Sequence, residues 1–181
     1  MRCQLLLLIL VVIPLAVPAA HQEPSLQGNQ ILDPVTHKNN LYPADADATK
    51  EIDEALKVAT AEKKRVILIF GGNWCYDCHV LARALHEGAA GEVVKENFLL
   101  VKVDIGEGEK NPELVKHYKI KLDKGVPVVA ILARDGKRLY SSDDGEFEAA
   151  RRMMKKDLVA FLRHWAERFG NSRVETKKGA L

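Results

Sequence analysis

The chain holds only three cysteines among 181 residues, Cys3, Cys75 and Cys78, and a domain of this size does not need disulfides to fold. It lacks an excess of charge of either sign. The 27 basic and 25 acidic side chains leave +2, and no basic run is longer than three residues, so nothing argues for nucleic acid. It lacks an internal repeat. It also lacks the skewed composition of disordered, collagenous or coiled-coil chains, because 47% apolar and 29% charged residues is ordinary globular usage. The length suits one domain with a core of normal size.

What is there begins with a segment unlike the rest. Leu5 to Ile13 is an unbroken apolar run, preceded by Arg2 and followed by Pro14, Pro18, Ala19 and Ala20. That order is the order of a secretory signal. Two prolines interrupt the apolar stretch, a bilayer span needs about 20 residues, and His21-Gln22-Glu23 is no stop-transfer cluster. Residues 1–20 are therefore expected to be cleaved near Ala19 or Ala20, leaving an exported chain with no stable membrane insertion. Cys3 leaves with them, and Cys75 and Cys78 remain. Cysteines three apart close a tiny loop, which adds little stability. Chemistry explains the pair better than stapling does.

Residues 21–46 are polar, carry Pro24, Pro34 and Pro43, and read as an extended lead-in. From Asp47 a helical period starts with Ile52, Ala55, Leu56 and Ala59; Asp47 or Thr49 can cap it, and Lys63-Lys64-Arg65 ends it. Val66 to Phe70 is a short, continuous, β-branched run, the mark of a fully buried strand. Gly71-Gly72-Asn73 breaks it. A helix is expected to start at or near Cys75, with Cys78, Leu81, Ala82 and Leu85 as its apolar stripe. A short helical piece around Glu92–Glu96 precedes a second strand, Phe98 to Val103. Asn111-Pro112 opens another helix. Val126 to Leu132 reads as a third strand, and Asp135-Gly136 turns into a fourth, Lys137–Tyr140. Leu158, Phe161, Leu162, Trp165 and Phe169 give a last amphipathic helix, and residues 170–181 a polar tail. Residues 141–154 carry no assignable pattern. Alternating strands and helices predict a three-layer α/β domain with a mixed sheet.

The strongest chemical signal is Trp74-Cys75-Tyr76-Asp77-Cys78, set between a buried strand and an amphipathic helix. Free amides and the dipole of a helix N-terminus favour an anion, so a thiolate at Cys75 is stabilised there. Cys78 lies one turn on and more buried, placed to form or break a disulfide with Cys75. A carboxylate at Asp77, exposed at the rim of such a site, disfavours that thiolate and makes the couple less oxidising, which favours a reductant over a strong oxidase.

Over Asp47–Phe169 the chain resembles the thioredoxin fold. It is most similar to the exported branch that includes the C-terminal domain of the bacterial thiol:disulfide interchange reductase. The residues that carry the resemblance are the strand Val66–Phe70, Trp74-Cys75-x-x-Cys78, the strand end Val101-Lys102-Val103-Asp104, Tyr118-Lys119-Ile120 and Gly125-Val126-Pro127. The resemblance implies a cis Pro127 facing the cysteines and a Val126 backbone offered to an extended substrate, with Trp74 flanking the nucleophile. It also implies a monomeric thiol:disulfide oxidoreductase without a cofactor. Its partners would be protein dithiols or disulfides and an upstream electron donor, in a periplasm, with the extracellular space as the alternative. Residues alone would read Pro127 as a strand start and Trp74 as a core aromatic.

Departures accompany the likeness. Thioredoxin proper has a buried aspartate six residues before the first cysteine; here Ile69 stands in its place, and Lys102 is a candidate substitute. The dipeptide is Tyr-Asp rather than Gly-Pro, and Leu122-Asp123-Lys124 is extra, at the rim. Other readings stay open. Cys75-x-x-Cys78-His79 also spells the covalent haem signature. Cys75, Cys78 and His79 or His86 suit a copper or zinc carrier, although His79, Arg83 and His86 read more simply as a solvated helix face. A thioredoxin-like binding module without catalysis is the remaining alternative.

Overall fold

The computed structural model describes residues 30–36 and 40–168. The expected signal segment and polar tail lie outside them. Helix α1, Ala48–Glu62, starts where Asp47 accepts a hydrogen bond from the Lys50 amide at 3.0 Å and ends at a left-handed Lys63. Strand β1, Arg65–Gly71, is followed by α2, Tyr76–Ala84, and α3, Gly88–Asn97. Then come β2, Phe98–Asp104, and α4, Pro112–His117. Strands β3, Val128–Leu132, and β4, Arg138–Ser141, lead to a 3-10 turn at Ala150–Arg152 and to α5, Lys155–Glu167.

The sheet order is β2-β1-β3-β4, with β2 parallel to β1 and both other pairings antiparallel. Alternation along β1 divides the core in two. Val66, Leu68 and Phe70 pack towards α1 and α4, whereas Ile67 and Ile69 pack with residues of α2, α3 and α5. Both faces are covered, which is why β1 and β3 are continuous apolar runs. The expected three-layer α/β domain with a mixed sheet is what forms.

Two strand starts differ from expectation. β3 begins at Val128 rather than Val126, since Pro127 has no N–H for the ladder. β4 begins at Arg138 because Lys137 belongs to the turn, where its amide bonds Asp135. The helical piece expected at Glu92–Glu96 falls mostly in the C-terminal half of α3. The segment without assignable pattern, 141–154, is made of turns, the 3-10 turn among them, and buries Phe147 and Ala150. The lead-in packs on the body. Ile31 bridges Met154, the Leu32 amide bonds the Met153 carbonyl at 2.9 Å, and Leu32 and Tyr42 are buried.

Candidate active site

β1 delivers the chain from the middle of the sheet to the edge of the core at Gly71, and α2 starts five residues later. Cys75 is the N-cap of α2, in extended conformation, and its Sγ accepts the Cys78 amide at 3.1 Å. The sulfur thus takes the place that a Ser or Asp oxygen fills at ordinary N-caps. Cys75 and Cys78 are joined in a disulfide with a Cα–Cα distance of 5.3 Å. Cys75 is 5% exposed and Cys78 0%, so the first sulfur is the one a partner can approach.

The other side of the pair is built by the turn before β3. The Val126–Pro127 bond is cis, and the Val126 carbonyl lies 3.6 Å from Cys75 Sγ. Gly125, at φ +104°, supplies a backbone conformation that other residues rarely adopt. Trp74 is 50% exposed, not a core aromatic, and its indole N–H donates to the Gly106 carbonyl at 2.7 Å. A tethered, exposed ring beside an accessible sulfur is a contact surface with little freedom to lose. Leu122-Asp123-Lys124 forms the turn closed by the Gly125 amide on the Leu122 carbonyl, with Lys124 against Gly145.

Asp77 departs from its expected place. It is 6% exposed, and its carboxylate accepts the Arg151 backbone amide at 2.8 Å while pairing with the Arg151 guanidinium. Residues two apart on a helix do not face each other, so Asp77 turns towards the 3-10 turn rather than out beside Cys75. Its charge is compensated there.

His79 is also not on a solvated face. It is buried, with Nε2 2.8 Å from the Asn73 carbonyl oxygen, while His86 is exposed and meets the Ala82 carbonyl. Among the described residues no three His, Cys, Asp or Glu side chains are grouped to hold a metal ion. Ile69 is buried in the apolar core, and Lys102 is its neighbour across the β1–β2 ladder.

Sequence reasoning passed over three residues here. Tyr42, from the lead-in, is 1% exposed and clusters with Cys75 and Cys78. Asn73 holds it by two bonds, accepting the Tyr42 amide at 2.9 Å and donating to the Tyr42 carbonyl at 2.7 Å. Arg151 is the third. Tyr42 is the one Phe, Trp or Tyr within residues 21–46, and that was the available signal.

Comparison with known proteins fits this geometry. Residues 47–133 match a family model described as thioredoxin-like. The solved disulphide isomerase from Xylella fastidiosa Temecula1 is 31% identical over 69% of this chain and 95% of that one, with a TM-score of 0.65. The chain belongs to the thioredoxin-like family. A thioredoxin from Thermus thermophilus superposes with a TM-score of 0.50 at 17% identity, covering 71% of this chain and 94% of that chain. The oxidised C-terminal domain of DsbD from Neisseria meningitidis gives 0.46 at 21% identity, covering 67% of this chain and 94% of that one. Comparison with the curated proteins finds no match. A thioredoxin-like fold that places Cys75 and Cys78 at a helix N-terminus, with a disulphide isomerase as neighbour, supports thiol:disulfide exchange.

Proposed function

We propose that the chain exchanges thiols and disulfides with protein partners and acts as a reductant, with Cys75 as nucleophile and Cys78 as resolving thiol. The observation that carries this is the asymmetry of the pair: Cys75 at the helix start beside Trp74 and the Val126 carbonyl, Cys78 enclosed behind it. The Cys75 thiolate attacks one sulfur of a partner disulfide. The partner's other sulfur leaves and takes a proton. Cys78 then loses its proton and attacks Cys75 Sγ, the bond from Cys75 to the partner breaks, and the departing partner sulfur is protonated. Two electrons pass to the partner and the Cys75–Cys78 bond closes.

The reductant direction now rests on burial rather than on Asp77, whose charge Arg151 compensates. Enclosing both sulfurs disfavours thiolate, and a strong oxidant needs a stabilised reduced form. Export, with removal of residues 1–20, rests on the basic, apolar and small-residue order of that segment, and a periplasm as destination rests on the family resemblance. Among the described residues no helix is long and apolar enough to cross a membrane.

Two measurements test the proposal. Cys78→Ser should accumulate mixed disulfides through Cys75, and Cys75→Ser should not; the reverse pattern would exchange the two roles. Equilibration with a glutathione buffer should place the wild-type couple nearer thioredoxin, at about −270 mV, than a strong oxidant at about −120 mV. A value near the latter would refute the reductant direction.

A further inference from the structure

Tyr42 is the unexplained group of the site. Its hydroxyl is buried and has no hydrogen-bond partner among the described residues. A buried, unpaired hydroxyl is unfavourable, and native proteins keep few of them. It sits against the resolving cysteine. A β-carbon added to Gly71 would lie 2.5 Å from Cys78 Sγ and 2.6 Å from Tyr42 Oη, so both atoms crowd the same point over the end of β1. Tyr42, Cys75 and Cys78 form one cluster with Leu41 and Val126 at its margin. The ring is fixed there by the two Asn73 bonds to the Tyr42 backbone.

We infer that Tyr42 is a catalytic residue: its hydroxyl donates a hydrogen bond to Cys78 Sγ when the disulfide opens. A disulfide sulfur is a poor acceptor, a thiol sulfur a weak one and a thiolate a strong one, so the phenol is unpartnered in the oxidised form, gains a partner when the pair is reduced, and holds it most strongly as Cys78 loses its proton. The inference rests on the reading of the pair as a working redox couple. Burial, and secondarily the charge of Asp104, hold the phenol proton on well above its ordinary value of 10, so Tyr42 is a donor and not a base. During resolution the Cys78 proton goes to the departing partner sulfur. Tyr42 keeps its own proton and stabilises the Cys78 thiolate as it attacks Cys75. No carboxylate stands at Ile69 to assist that step from the sheet.

Tyr42→Phe keeps the ring and removes the donor. In the full chain, equilibrated with glutathione, the variant should favour the disulfide about tenfold over wild type, which is about 30 mV towards more reducing. Thermal unfolding should show the reduced form losing stability relative to the oxidised form, and a Cys75–glutathione mixed disulfide should resolve more slowly. A merely packed tyrosine would move both redox forms alike. An unchanged equilibrium with equal shifts in both forms would overturn the role of Tyr42 and leave the redox reading standing. A wild-type pair that fails to exchange with glutathione would overturn both.

Discussion

Asp77 and Arg151 set opposite charges against each other at the first turn of the active-site helix, and the partition of burial between them decides what each contributes. The Asp77 side chain is nearly enclosed, while that of Arg151 is 53% exposed. Asp77→Asn still accepts the Arg151 amide and releases the guanidinium to water, so it should cost only about 1 kcal/mol in urea unfolding. The redox consequences of removing the two charges have opposite signs. Arg151→Gln leaves the carboxylate uncompensated near the helix start, which disfavours thiolate at Cys75. The couple should become more reducing by about threefold, or about 15 mV. Asp77→Asn should move it the other way, and the double variant should return close to wild type. Equal potentials in all four proteins would mean that this ion pair only fastens the 3-10 turn to α2.

The turns and the lead-in that frame the site are held by a few directed bonds rather than by a long apolar face. Asn73 joins the lead-in to the β1–α2 turn, Trp74 is tied to Gly106, and Asp77 ties the 3-10 turn to α2. Asn73→Ala removes both bonds to the Tyr42 backbone and should cost about 1–3 kcal/mol. Amide exchange at Tyr42 should rise with it; unchanged protection there would show that packing of the ring suffices. These bonds also explain what the sequence disclosed. β1, β3, the stripe of α2 and the cysteine pair were legible because buried runs, helical period and motif context are local signals. Asp47 as cap and Pro127 at the head of β3 were legible for the same reason. Tyr42, Arg151 and the turns of 141–154 were not. Their partners stand 31 and 74 residues away for Asn73 and Asp77 respectively, and no local period announces such pairings. Asp77 was misplaced because its exposure depended on a segment that carried no readable pattern.

At the scale of the whole molecule the family match begins at residue 47, yet the packed body begins earlier. Leu32 belongs to the core under α2, α3 and α5, and Tyr42 to the cluster around the cysteines. Fully burying one large apolar side chain is worth about 1.5–3 kcal/mol. A chain starting at residue 47 loses both side chains, the Asn73 bonds and the Met153 bond of Leu32. Compared with a chain starting at residue 30, it should be less stable by about 3–5 kcal/mol in urea unfolding. It should also lose the enclosure of Cys78. In the reduced state a bulky alkylating reagent that labels Cys75 alone in the longer chain should label both thiols in the shorter one. Equal stability and unchanged selectivity would make the lead-in a passive strap. Loss of both would make it part of the redox domain, with Tyr42 as the residue through which it reaches the chemistry.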